Sequence, residues 1–296
     1  MTRLLLTLLF LLGTAAHAAE IKVATWNMEW LTTSAEDLPP EVHPKPSQGI
    51  AALRRYAGLL DADVVAFEEV DGPAVAAEVF TPDRYQVFAT ADHVTQRVGF
   101  AVRRGIAVRQ NPDLAALDVQ PGARHRLRSG ADVTLDLPGG PLRLLAVHLK
   151  TGCHHDPLAS SQRPACRTLR EQVPALQGWI AQRRAEGVPF VVLGDFNREM
   201  SGRDDLLAAM NAAAPLALAT AGQASPCWGG TSFIDHILAG GAARAWMEPG
   251  SLRVLVYRER DEAARTLLSD HCPVSVRFRL PGDEAIVRAS PTKEAP

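Results

Sequence analysis

Phe190-Val191-Val192-Leu193-Gly194-Asp195-Phe196-Asn197 sets four apolar residues in a row, then a glycine and two short polar side chains. A short unbroken apolar run bounded by turn residues reads as a strand buried on both faces. Side chains at the end of such a strand can be aimed into a cleft while the strand holds them rigid. Alone, Gly-Asp-x-Asn is equally an ordinary turn, because Asp and Asn bond their own backbone. Its weight comes from similar polar residues at other strands of the chain.

Ile21-Lys22-Val23-Ala24-Thr25-Trp26-Asn27 partly alternates like a strand and ends on Asn27. Val64-Val65-Ala66-Phe67 runs into Glu68-Glu69, and Leu145-Ala146-Val147 into His148. Ile234-Asp235-His236-Ile237 places a carboxylate inside an apolar run, and Ser269-Asp270-His271-Cys272-Pro273-Val274 leads into another strand. Asn27 also reads as a turn residue, Asp270-His271 as a strand entry, and Glu68-Glu69 as a solvated strand end. Asp235 and His148 resist that reading, since a buried charge is costly unless paired or bound to metal.

Between these segments, residues 32–48 carry four prolines and read as a loop. Ile50–Leu60 has helical spacing, and Thr168–Arg184 reads as a helix with Pro174 as its weak point. Ala131–Leu137, Leu142–Leu149, Phe233–Leu238 and Val274–Phe278 read as further strands, the second entered through the turn Pro138-Gly139-Gly140. Strands recur along all 296 residues with helices between some of them. That mixture predicts two packed sheets with helices outside, an α/β sandwich.

The formal net charge of −2 argues against a globally basic nucleic-acid binder but leaves a local basic cleft open. Arg124-His125-Arg126-Leu127-Arg128 is the clearest basic patch. Arg3, the apolar run Leu4–Leu12 and Ala16-His17-Ala18 together read as a signal peptide over residues 1–19. The run is too short for a membrane span, so a periplasmic or secreted protein without stable membrane insertion is expected. Residues 20–281 then form the folded domain, and 282–296 a flexible tail. Cys153, Cys166, Cys227 and Cys272 suit two disulfides, with Cys153–Cys166 the preferred first pair and Cys227–Cys272 following. A zinc site using His154 and His155 is the competing reading, disfavoured by the absence of any Cys-x-x-Cys.

The ordered set Thr25-Trp26-Asn27, Phe67-Glu68-Glu69-Val70, His148-Leu149-Lys150, Gly194-Asp195-Phe196-Asn197, Ile234-Asp235-His236-Ile237 and Ser269-Asp270-His271 resembles the endonuclease/exonuclease/phosphatase superfamily, which includes DNase I. The resemblance spans roughly residues 21–280, and Glu-Trp-Leu with the cysteine loops is similar to a bacterial exported subgroup. Glu68 stands where the superfamily usually has Gln. The resemblance implies a four-layer α/β/β/α sandwich of two mainly antiparallel mixed sheets. It implies Mg²⁺, with Mn²⁺ or Ca²⁺ as alternatives, held by Asn27, Glu69 and Asp270; hard oxygen ligands suit all three ions. Asp235 would orient His271, which serves as general base or stabilises the phosphoryl group, with Asp195 as the competing base. Asn197 would orient water or donate to phosphorane oxygens, and His148 would contact phosphate or protonate the leaving group. Arg128, with Arg126 second, is the expected phosphate-binding arginine. The implied activity is metal-dependent phosphodiester hydrolysis by a monomer acting on DNA or RNA. Lipid head groups, inositol phosphates and nucleotides are alternative substrates, and a catalytically dead binding module is a third reading.

Overall fold

The computed structural model describes residues 19–36, 38–123 and 126–282. The expected leader (save Ala19), Arg124-His125 of the basic patch, and the tail beyond Gly282 lie outside the described residues. The strands are β1 (Glu20–Leu31), β2 (Val64–Val70), β3 (Tyr85–Ala89), β4 (Arg97–Arg103), β5 (Ala107–Gln110), β6 (Ala131–Leu137), β7 (Gly140–His148), β8 (Phe190–Asp195), β9 (Leu216–Leu218), β10 (Ala224–Ser225), β11 (Thr231–Ser232), β12 (Asp235–Gly240), β13 (Arg253–Val254) and β14 (Val274–Arg279). The helices are α1 (Ser47–Leu60), α2 (Gly72–Val79), α3 (Pro164–Glu186), α4 (Asp205–Ala213), α5 (Ala243–Trp246) and α6 (Glu262–Leu267).

Two six-stranded sheets form, in the orders β13-β14-β1-β2-β4-β3 and β5-β6-β7-β8-β12-β9. Each has one parallel pair, β1 with β2 and β7 with β8, among antiparallel neighbours. Alternating side chains supply two faces per sheet. Val23, Val64 and Phe100 meet Val133, Leu144 and Val191 in the core between the sheets. The opposite faces pack on helices: Trp26, Phe67 and Leu53 in one outer core, Leu145, Val192 and Leu176 in the other. This is the expected four-layer α/β/β/α sandwich.

The elements follow from their residues. Ile50, Leu53, Tyr56, Ala57 and Leu60 line the buried side of α1, and Asp61 closes it in the left-handed conformation. Pro174 does not break α3, which begins four residues earlier, at Pro164, than its periodicity predicts. The ring lies on the exposed side, while Leu169, Val173, Leu176 and Ile180 stay packed on the sheet. Gly194 is required: a Cβ there would lie 1.9 Å from the Val147 carbonyl oxygen, and φ is +141°. The close β7–β8 approach is what brings His148 level with Asp195.

Candidate active site

Register sets the first row of the site. Asp195 pairs with His148 across the parallel β7–β8 ladder and with Asp235 across the antiparallel β8–β12 ladder. Three polar residues therefore stand side by side at one sheet end. On the other sheet, Asn27 is opposite Glu68, beyond which the β1–β2 register shifts. Glu29, Trp30 and Glu69 all have positive φ there. Such a bulge re-aims side chains, and it separates Glu68 from Glu69. Asn27 is thus inside a strand that continues through a bulge, rather than in a terminal turn.

The two sheets meet through Asn27. Its Nδ2 donates to Glu69 Oε1 (3.2 Å) and Asp195 Oδ2 (3.1 Å), while its Oδ1 accepts from the Glu29 backbone N–H (2.9 Å). The amide therefore presents nitrogen, not oxygen, to the carboxylates, and as placed it orients them. Trp30 N–H donates to Glu69 Oε2 at 3.1 Å. Asn197, left-handed at φ +50°, donates its backbone N–H to Asp195 Oδ1 (2.7 Å) and its amide to Asp195 Oδ2 and the Leu149 carbonyl. His148 Nε2 lies 3.5 Å from both Glu69 and Asp195.

His271 Nδ1 is 2.8 Å from Asp235 Oδ2, and its Nε2 faces Asp195 Oδ2 at 3.9 Å and Asp270 Oδ1 at 3.8 Å. Burial works against charge on this ring, but Asp235, then Asp195 and Asp270, outweigh it and raise its pKa well above the ordinary range. Burial pushes Asp195 up to about 7, with Asp235 adding to the rise and His271 opposing it. His148 goes the other way: burial, then the Arg128, His271 and Lys150 cations, push it far below its usual value. The shift favours the neutral ring, whose Nε2 faces Glu69 and Asp195.

Glu68 is not a solvated strand end. It is fully buried, accepts from Thr25 Oγ1 at 2.9 Å, and burial drives its pKa well upward. A protonated carboxyl has the shape and donor capacity of the Gln usual in the superfamily. Asp270 sits at the rim, its N–H on Glu29 Oε2 at 3.1 Å. Arg128 is buried, and its Nε has no partner among the described residues. Arg126 is instead committed to Asp118 through Nε (2.9 Å) and an η nitrogen (2.8 Å).

Sequence reasoning missed three supporting residues. Glu29 holds Asp270 and pairs with the buried Lys45, whose Nζ is 3.5 Å away. Tyr257 accepts from Trp26 Nε1 (2.9 Å) and donates to the His271 carbonyl (2.7 Å). A charged Glu29 inside an apolar stretch was a usable signal; the Tyr257 link, 231 residues from Trp26, left none. Both disulfides form as expected, Cys153–Cys166 and Cys227–Cys272, which forecloses zinc on those thiols. The second directly follows His271, while Trp228 Nε1 donates to the Ser269 carbonyl at 2.9 Å.

This fold and site define a phosphoesterase-type α/β sandwich, and similarity to known proteins agrees. Residues 24–271 match the model of the Endonuclease/Exonuclease/phosphatase family, and the chain belongs to that family. No curated protein matches it significantly. Among solved structures it is similar to truncated TDP2 of Caenorhabditis elegans at 16% identity and TM-score 0.56, covering 88% of this chain and 98% of that one. It is also similar to the 3′ phosphatase NExo from Neisseria, solved with a product DNA hairpin, at 17% identity, TM-score 0.55, and 87% and 99% coverage. The human Nocturnin catalytic domain, solved with bound sulfate, aligns at 14% identity, TM-score 0.58, and 88% and 94% coverage. At these identities the structural likeness establishes the shared fold.

Proposed function

We propose that this protein is an exported, metal-dependent nuclease that hydrolyses phosphodiester bonds in DNA or RNA. The observation that carries the reading is the convergence of Asn27, Glu69, His148, Asp195, Asn197 and the Asp235–His271 pair at facing ends of two sheets. The dead-module reading predicts lost groups, and all of these are present. The DNA hairpin held by the Neisseria relative supports a nucleic-acid substrate. Export is supported by the signal-peptide pattern over residues 1–19 and by two disulfides. Among the described residues no helix is long and apolar enough to cross a membrane. Residues 20–281 are the catalytic domain in this reading, acting as a monomer.

The donor set fits a hard divalent cation. Glu69 and Asp195 approach the same Asn27 amide, and Asp270 lies on the rim beside Glu29. Glu69 and Asp270 would hold Mg²⁺, for which Mn²⁺ or Ca²⁺ can substitute, and the Asn27 amide would orient Glu69. The bound ion would supply charge to polarise the phosphoryl oxygen and ease departure of the leaving oxygen.

The chain's own groups do the rest. Asp235 fixes the His271 tautomer and leaves Nε2 pointing at the cleft beside Asp195. A protonated His271 stabilises the anionic phosphoryl group, and Asp195, titrating near neutrality, accepts the proton of attacking water. Asn197 holds Asp195 and presents its amide to the developing oxyanion. His148 donates a neutral hydrogen bond, and Arg128 adds a buried guanidinium to the phosphate oxygens.

The test is incubation of the purified protein with plasmid DNA and Mg²⁺, with EDTA and His271→Ala as controls. Metal-dependent cutting that disappears in the variant is expected. No cutting of DNA, and then none of RNA, overturns the nuclease reading and directs assays to small phosphodiesters and phosphomonoesters.

A further inference from the structure

Arg128 is held in place by contacts that do not neutralise it. Asp92 accepts from the backbone N–H and Oγ of the next residue, Ser129, both at 2.8 Å. Asp118 takes Arg126 and the Leu127 N–H on the other side. Asp92 and Asp118 thus clamp residues 126–129, and no carboxylate of the described residues lies within ion-pair distance of Arg128 itself. Burial lowers the pKa of its guanidinium, and the carboxylates that oppose this most are Glu69 and then Asp195.

Lys150 repeats the arrangement. Its backbone N–H is capped by Gln172 Oε1 at 3.0 Å, and the fully buried Gln172 is anchored to the Leu117 carbonyl at 2.8 Å. Its half-buried ammonium has no acidic partner among the described residues. The antiparallel β6–β7 ladder pairs Ala131 with Ala146, so the segments carrying Arg128 and Lys150 leave the same sheet end side by side. Burial lowers the pKa of both His148 and Lys150, and after it Arg128 lowers each further, as Lys150 does that of His148. Cations kept together without counter-charges cost stability, and such strain gathers at anion-binding sites.

We propose that Lys150, next to Arg128, binds a second phosphate: the one adjoining the bond to be cut in a nucleic-acid strand. The inference rests on the phosphodiesterase reading above and deepens it. It makes the preferred substrate a strand with at least two neighbouring phosphates, rather than an isolated phosphodiester. Arg128 takes the scissile phosphate, and Lys150 sets which neighbour is read.

The probes are the thymidine dinucleotide with both ends free, its 5′-phosphorylated form and its 3′-phosphorylated form. With the unaltered protein, one phosphorylated form should show a KM about tenfold below the free dinucleotide, the scale of one charge-assisted contact. In Lys150→Met that ratio should fall towards unity, and in Lys150→Arg it should return. Equal KM values for all three substrates, or a ratio unchanged in Lys150→Met, overturns the subsite. Calorimetric binding of the same dinucleotides to His271→Ala reads the preference without turnover. Cutting with no phosphate preference removes the subsite and leaves the hydrolase reading. A binding preference without cutting of any substrate keeps the subsite and removes the hydrolase reading.

Discussion

Asp235 Oδ2 lies 2.8 Å from Nδ1 of His271, and the other nitrogen of that ring faces Asp195. One carboxylate therefore sets the tautomer while another shares the ring's charge. Groups acting as a unit lose activity together when any one is removed. His271→Ala should lower kcat by about a thousandfold and Asp235→Asn by at least about a hundredfold, the range for positioned acid–base groups. Steady-state cleavage of an oligonucleotide measures both. The double variant should be little worse than His271→Ala alone; additive losses would mean the two residues act separately.

The carboxylates should make activity depend on a divalent ion. EDTA should abolish cutting, with Mg²⁺ or Mn²⁺ restoring it. Glu69→Gln keeps the shape but removes the charge, and should weaken ion binding by at least about tenfold. Calorimetric titration of the variant with Mn²⁺ checks this. Affinity equal to that of the unaltered protein would remove Glu69 from the ligand set.

Asp195 gives the metal-free protein a particular pH dependence. Its folded pKa of about 7 is above its unfolded value, so the fold binds the proton more tightly than the unfolded chain does. Its contribution to stability is greatest at acid pH and declines as pH rises from about 4 to about 7. His271, also raised, loses its contribution as pH climbs through its folded value. His148, lowered by burial, works in the opposite sense below about pH 6.5. Asp195→Asn should therefore flatten the fall in Tm between pH 5 and 7 in EDTA. Parallel curves for the two proteins would contradict this assignment.

The Cys227–Cys272 bridge closes a separation of 45 residues and ends beside His271. Replacing both cysteines by serine should cost ~2–4 kcal/mol of stability and lower kcat, because Ser269-Asp270-His271 loses an anchor. The Cys153–Cys166 bridge spans only 13 residues, so its loss should cost less. Denaturant titrations with parallel kinetics test the contrast. A kcat unaffected by loss of the Cys227–Cys272 bridge would show that Tyr257 and Trp228 suffice to hold the segment.

Gly194→Ala places a methyl group against the Val147 carbonyl. The β7–β8 ladder would have to open at the level of His148 and Asp195. A loss of about 3 kcal/mol or more is expected, since overpacking and backbone strain add. Thermal unfolding measures it, and a Tm within a degree of the parent would refute the close-approach argument.

The amino-acid sequence by itself determined the strands, the sandwich and most members of the candidate site. Phe190–Leu193 and Val64–Phe67 are apolar enough to be buried whatever surrounds them, and the polar residues that follow ride on them. The order of those residues along the chain was enough to recognise the family. Tertiary structure decided how each group behaves. Glu68 and Glu69 are adjacent and identical in type, yet a bulge buries the first against Thr25 and turns the second to Asn27. Arg126 and Arg128 look interchangeable, yet Asp118 pairs with the first, while Nε of the second has no partner among the described residues. His148 and His271 are both histidines beside strands, but burial, with Arg128 behind it, lowers the pKa of one, while Asp235 overcomes burial and raises that of the other. Local pattern sets which residues are buried and where strands end, because it needs only near neighbours. Charge state and partner choice depend on groups brought together from distant sequence, and only the folded chain supplies them.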